Sequence, residues 1–346
     1  MWELQNFLTE GMVLEFDEKS GGLTIGRIKR FWLLRYGRVR FRLMDIIFIV
    51  YIGLVGILIL FFHERIRLWP LLVVLHLLIL AGSLEIVRLG EKNPEKKFFL
   101  LLRTTYSLLL MLFCWRELSL TVLMFFDSFW GTELLIRMDQ AIFGVHPTLW
   151  AAQYHRPWIH ELMSFFYTVY FTFFFLIPGY FFFRKKYEEA FAVISLISLI
   201  YYANFIIFYL IPAVGPNHSS VLAQPDNQQA AGFLFAALNG ALQGAAGVHG
   251  AAFPSSHVAG VLGWVLAAGR YSRRLGWALS PVALGVGLAT VYLGYHHAVD
   301  PIAGYFWGAI CFVVALRWLK RRAEDPMSYQ TIKNPISHTN AINDIT

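Results

Sequence analysis

Apolar residues gather into long runs separated by short polar and basic stretches, at about 46–62, 68–87, 98–120, 162–183, 190–211, 256–270, 275–295 and 301–319. An α-helix needs about 20 apolar residues to cross the hydrocarbon core of a bilayer, so the pattern predicts an all-α integral membrane protein with about eight transmembrane helices. The run at 256–270 is short for a crossing. Its helix is expected to start below the membrane surface and to leave a polar recess there. Residues 126–161 mix aromatic and charged side chains and carry the turn-like Phe143-Gly144-Val145-His146-Pro147, as short helices lying at the interface do. Residues 213–254 are rich in Gly and Ala and hold an apolar stretch, 230–242, too short to span but long enough to dip into the interface as a lid.

Charge sets the orientation. Lys and Arg cluster at alternate ends of the runs, in 27–42, 88–97, 184–186, 270–274 and 317–322, whereas only Arg65, Arg67, Arg137 and Arg156 fall on the other side. Cytoplasmic loops carry the excess of basic residues. Both termini are therefore expected in the cytoplasm, and the loops at 126–161 and 213–254 at the extracytoplasmic face. No signal peptide opens the chain, so the first span is expected to double as the insertion signal. The organisation predicted is a basic cytoplasmic segment at 1–45, a two-helix membrane module at 46–97, a catalytic membrane domain at 98–322 and a polar cytoplasmic tail at 323–346.

Composition agrees: 57% of residues are hydrophobic and 15% charged, against about 25% charged in soluble domains. That excludes an ordinary soluble protein, a disordered chain and a disulfide scaffold. The net charge of +7 reads as anchorage against anionic head groups and not as nucleic-acid binding. Cys114 and Cys311 lie inside apolar runs and read as small core residues.

Ionisable groups at membrane depth are costly and mark functional sites. Pro254-Ser255-Ser256-His257 opens the sixth run and Tyr295-His296-His297-Ala298-Val299-Asp300 joins the seventh to the eighth, so both lie at the extracytoplasmic end. His296 and Asp300, four residues apart, share one helix face. A carboxylate beside an imidazole fixes its tautomer and stabilises its charged form, freeing the other nitrogen to act as a nucleophile. His257, from another helix, would supply the proton a departing alkoxide needs. The set suits phosphoryl transfer. A zinc site is the alternative, with His218 and His249 as further ligands, and so is a transporter using the histidines as a proton relay. The ionisable groups, however, gather at one face, and the fourth, fifth and seventh runs are nearly free of charge.

These residues resemble the type 2 phosphatidic acid phosphatase superfamily. Pro254-Ser255-Ser256-His257 is similar to its Pro-Ser-Gly-His motif, and His296-x3-Asp300 to the end of its Ser-Arg-x5-His-x3-Asp motif. The resemblance implies a six-helix catalytic core, His296 as the nucleophile that becomes phosphorylated, Asp300 as its orienting carboxylate, His257 as proton donor, and no metal or cofactor. The chain departs where the family places its phosphate-binding cations: Ala289 and Thr290 stand for Ser-Arg, and Asn204 and Ile211-Pro212 for the Lys-x6-Arg-Pro motif. Ser255, Ser256, His297, Arg156 and Arg116 are the substitute donors, although Arg156 also reads as a head-group anchor and Arg116 as an ion-pair partner of Glu117. The inositol phosphorylceramide synthase-like branch shares this loss, and the chain resembles it in Asp139-x3-Phe143-Gly144-x2-Pro147, Tyr167-x2-Tyr170, Pro212-Ala213-Val214-Gly215-Pro216 and the doubled His. That branch implies transfer of a phospho-head group from a membrane phospholipid to a lipid or polyol acceptor. Hydrolysis of phosphatidate or polyprenyl phosphates is the alternative.

Overall fold

The computed structural model describes residues 39–219, 222, 232–322 and 324–326. The chain divides into two units, Met1–Arg40 and Phe41–Thr346, and every described helix belongs to the second. Most of the expected basic segment and of the polar tail lie outside the described residues.

Twelve α-helices carry the fold, with no strand among the described residues. They are α1 (Leu43–Phe61), α2 (Trp69–Lys92), α3 (Lys97–Thr121), α4 (Gly131–Phe143), α5 (Pro147–Ala152), α6 (Pro157–Tyr170), α7 (Phe173–Phe183), α8 (Tyr187–Leu210), α9 (Leu234–Ala246), α10 (Ser256–Tyr271), α11 (Arg273–Tyr292) and α12 (Val299–Arg321). Six of them, α1, α2, α3, α8, α11 and α12, are long and apolar enough to cross a membrane, and the protein is integral to it. The run expected as one span at 162–183 is two helices, α6 and α7, which bend by 47° across the break between them. With that pair counted as one crossing the number is seven. The remaining expected crossing, the sixth run, is α10, which has 16 residues, so at 1.5 Å per residue it is about 24 Å long, less than the roughly 30 Å hydrocarbon core.

The innermost helix is α8, apolar all round and packed by α1, α3, α7, α10 and α12. A helix apolar on every side is one buried on every side. The outer helices show the complementary pattern: Val50, Leu54 and Ile57 on α1 and Phe306, Ile310 and Val313 on α12 are exposed at helical spacing, as a lipid-facing stripe requires. Residues 126–161 form the short helices expected there, α4, α5 and the start of α6. The Gly-Ala-rich loop folds into α9, which covers residues 234–242 of the expected lid; residues 230 and 231 lie outside the described ones.

Polar contacts tie the bundle at the end away from the His motifs. Arg42 makes a bidentate pair with Glu188 at 2.6 and 2.8 Å. Arg103, expected within the third span, is buried against Asp45, which also accepts from the Tyr106 hydroxyl at 2.5 Å. Glu324 accepts from the Leu43 amide at 2.8 Å and Asp325 from Arg270 at 2.6 Å, so the chain beyond α12 clasps the start of α1 and the end of α10.

Candidate active site

The site grows from the meeting of two helix N-termini. Ser255 caps α10, its hydroxyl accepting from the Val258 amide. Its own amide donates to the Asp300 carbonyl oxygen in the first turn of α12, at 3.1 Å. Two glycines permit that approach: a Cβ at Gly304 would stand 2.7 Å from the Ser255 carbonyl oxygen, and one at Gly308 2.8 Å from that of Ala259. Gly215 lies so close to the Tyr295 backbone that no side chain fits, which seats the 212–216 turn under the His pair.

Here His296 is 4% exposed and Asp300 fully buried. His296 Nδ1 lies 3.3 Å from Asp300 Oδ2, and His296 Nε2 lies 3.2 Å from Ser255 Oγ. His257 stands opposite, its ring centroid 5.8 Å from that of His296. The three residues singled out by spacing are thus neighbours in space, with Ser255 between them. The first-turn N–H groups of α10 are those a helix leaves without an internal partner, and with the helix dipole they favour an anion.

The remaining expected donors are distributed differently. Ser256 is the buried first residue of α10. His297 is turned away: its Nε2 faces the Val214 carbonyl oxygen at 3.2 Å, its Nδ1 lies 3.9 Å from Asp139, and it is buried completely. Its place is a brace for the loop before α12. Arg156 is exposed and donates to the carbonyl oxygen of His155. Arg116 donates to the Gly247 carbonyl oxygen at 3.1 Å, at the end of α9. Its neighbour Glu117 does not pair with it, because Glu117 is buried on another face of α3 against His76 Nε2 at 2.6 Å. At the positions of the family's missing cations, Asn204 is buried and donates to the Pro254 carbonyl oxygen at 3.0 Å, and Thr290 closes the last turn of α11. His218 and His249 have ring centroids 4.2 Å apart, but among the described residues no third His, Cys, Asp or Glu completes a metal-holding group.

Several residues to which the sequence assigns no role in the site complete it, Asp139 and Tyr167 entering there only through the branch resemblance. Asp139 on α4 accepts from the amides of Ala298 and Val299, both at 3.0 Å, and so caps α12 from a distant helix. Burial raises its carboxyl pKa above the usual carboxylate range, and those two amides oppose the rise. Tyr167 on α6, which reads from sequence as a core aromatic, places its hydroxyl 2.8 Å from His257 Nε2. From α9, Gln243 donates to that hydroxyl at 2.9 Å and Asn239 to the Tyr295 hydroxyl at 3.0 Å. The four-residue spacing of Asn239 and Gln243 is the signal that was legible: two amides on one face of an otherwise apolar helix. Trp115, Tyr170 and Phe171 complete an aromatic cage around His257.

No curated protein and no solved structure matches the chain. The family model of the PAP2 superfamily matches residues 133–314, which run from α4 into α12 and include both His motifs. Membership makes the protein a membrane enzyme of phosphatase type with a lipid as its expected substrate. On that match, which covers more than half of the chain, the protein belongs to the PAP2 superfamily.

Proposed function

We propose that the protein moves a phospho-head group from a membrane phospholipid to an alcohol acceptor by double displacement through His296. The observation that carries this reading is the position of His296, whose Nδ1 faces Asp300 while Nε2 faces Ser255 and the start of α10. With Asp300 on Nδ1, the lone pair available for attack is on Nε2. In the first step the bond from phosphorus to the lipid oxygen breaks, a bond from phosphorus to Nε2 forms, and His257 gives its proton to the departing alkoxide. In the second, His257 takes the proton of the acceptor hydroxyl, whose oxygen displaces His296. Negative charge on the pentavalent phosphorus is met by the N–H groups of α10's first turn and by the hydroxyls of Ser255 and Ser256.

Support for an alcohol acceptor over water comes from the lid helix α9, which reaches the Tyr295 and Tyr167 hydroxyls through Asn239 and Gln243 and is held at its start by Glu161, which accepts from Phe233, Phe235 and Ala236. Excluding water is the requirement that separates transfer from hydrolysis. The basic residues at the opposite end support an extracytoplasmic site, and on this reading 98–322 is the catalytic domain with α1 and α2 as an added module. The chemistry assigned to His257, His296 and Asp300 needs no metal.

The test is a product analysis. Full-length protein in detergent is given a panel of phospholipids with and without inositol, ceramide and diacylglycerol, and products are identified by mass spectrometry beside His296→Ala. A phosphorylated product that requires both an acceptor and His296 is expected. Free phosphate or a free phospho-head group, formed equally without acceptor, would make the enzyme a hydrolase. Equal traces from wild type and variant would remove the catalytic reading.

A further inference from the structure

One ring nitrogen of His257 is occupied and the other is not. Nε2 lies 2.8 Å from the Tyr167 hydroxyl, which also accepts from Gln243. Nδ1 is buried and has no hydrogen-bond partner among the described residues. The aromatic rings packed on His257, from Trp115, Tyr170 and Phe171, meet it edge-on. A buried polar atom without a partner costs about 1–3 kcal/mol, and in native proteins such an atom asks for an explanation. The bound substrate supplies one.

We propose that Tyr167 and Gln243 are positioning residues that hold Nε2 of His257, leaving Nδ1 as the nitrogen that delivers and retrieves the proton. This rests on the assignment of His257 as proton donor. Tyr167 is buried on α6 with its ring 4.9 Å from the imidazole, and Gln243 reaches it from α9. In the charged imidazole, Nε2–H donates to the phenol oxygen and Nδ1–H points at the substrate. When the lipid oxygen leaves phosphorus, the Nδ1 proton goes to that alkoxide and the ring becomes neutral, with a lone pair on Nδ1 and the Nε2–H bond to Tyr167 intact. The acceptor hydroxyl then gives its proton back to Nδ1 as its oxygen bonds to phosphorus. The phenol keeps its own proton throughout, so it orients the acid and does not relay.

A second consequence concerns the lid. Gln243 sits on α9, and Glu161 fixes the start of that helix, so the lid that covers the site also completes the hydrogen-bond chain behind the acid. His257 is fully oriented only while α9 is seated.

The experiment compares leaving groups that need a proton with one that does not. First-turnover release of diacylglycerol from dioctanoyl phosphatidic acid and of nitrophenolate from para-nitrophenyl phosphate, which reports the first step alone, is followed in detergent with excess full-length wild type, Tyr167→Phe, Gln243→Ala and His296→Ala. Tyr167→Phe and Gln243→Ala are expected to slow diacylglycerol release by roughly tenfold or more. Nitrophenolate departs unprotonated, so its release is expected to slow little. Equal losses on both substrates would overturn the proposal and leave Tyr167 a packing residue. Activity retained in His296→Ala would sink the underlying reading instead, whatever the other variants do. A substrate-free measurement accompanies it: nitrogen NMR of histidine-labelled protein, with His257 assigned from His257→Asn. Neutral His257 is expected to carry its proton on Nε2 and to lose that preference in Tyr167→Phe; a proton on Nδ1 in the wild type would overturn the proposal.

Discussion

Each residue of the proposed His296, Asp300 and His257 set is expected to fail in its own way when altered. His296→Ala removes the proposed nucleophile and is expected to lower activity by roughly 10³-fold or more. Asp300→Asn keeps the shape but offers the imidazole the wrong partner, with an expected loss of about 10²–10³-fold, below that of the same change at the aspartate of a serine-protease triad. His257→Gln is expected to cost roughly 10²–10⁴-fold on alkyl leaving groups. Activity is also expected to be bell-shaped in pH, because His296 attacks unprotonated and His257 donates protonated. Steady-state kinetics of detergent-purified variants with native-like melting curves checks the set, and a His296 variant as active as wild type would refute it. These three residues were legible in the sequence because their roles require fixed residue types at fixed spacing. Tyr167 and Asp139 enter from sequence only through the branch resemblance, and their contacts were not legible, since His257 is 90 positions from Tyr167 and the amides that Asp139 caps are 159 and 160 positions off. Only folding shows which buried polar groups meet.

Element by element, hydrophobic runs located the helices to within a few residues, because every spanning helix must satisfy its backbone internally and face lipid with apolar side chains. The departures have local causes. The break between α6 and α7 falls at Phe171–Thr172, where the run stays apolar and hydropathy carries no signal. The lid became a defined helix because Glu161 satisfies its first amides. Helix packing sets the geometry of the site, and Gly304→Val tests that. The added side chain meets the Ser255 carbonyl oxygen, a backbone atom that cannot yield, at an expected cost of about 1–3 kcal/mol. Lower thermal stability and loss of activity are expected, whereas Gly53→Ala, with open space around it, is expected to change neither; an unaltered Gly304→Val would argue against the close α10 to α12 contact.

The 212–218 turn and the 247–250 loop respond to pH as elements. Burial, with His249 beside it, holds the His218 pKa below the usual histidine value. A depressed pKa contributes stability that is present above about pH 6.5 and is lost as pH falls through the folded value. Hydrogen-exchange protection factors in both segments, corrected for the intrinsic exchange rate, are therefore expected to fall as pH drops below about 6.5, and His218→Asn to abolish that dependence. Protection that stays flat in the wild type would count against it.

For the whole molecule, the apolar stripes, the central α8 and the two polar ends describe a membrane enzyme with its chemistry at one end. The proposed extracytoplasmic side of the site rests on the basic residues at the other end. In a Cys114→Ala, Cys311→Ala background, a membrane-impermeant maleimide applied to intact cells is expected to label Tyr154→Cys but not Glu95→Cys, both at exposed positions. The reverse pattern would put the site in the cytoplasm. The most direct test of the central claim is to trap the intermediate. Full-length enzyme, turning over its phospholipid donor without acceptor, is quenched in alkali, where phosphohistidine survives, and digested for mass spectrometry. A phospho-head-group adduct on His296, absent from His296→Ala and lost on adding acceptor, is the expected result; turnover with His296 unmodified under the same quench would contradict it.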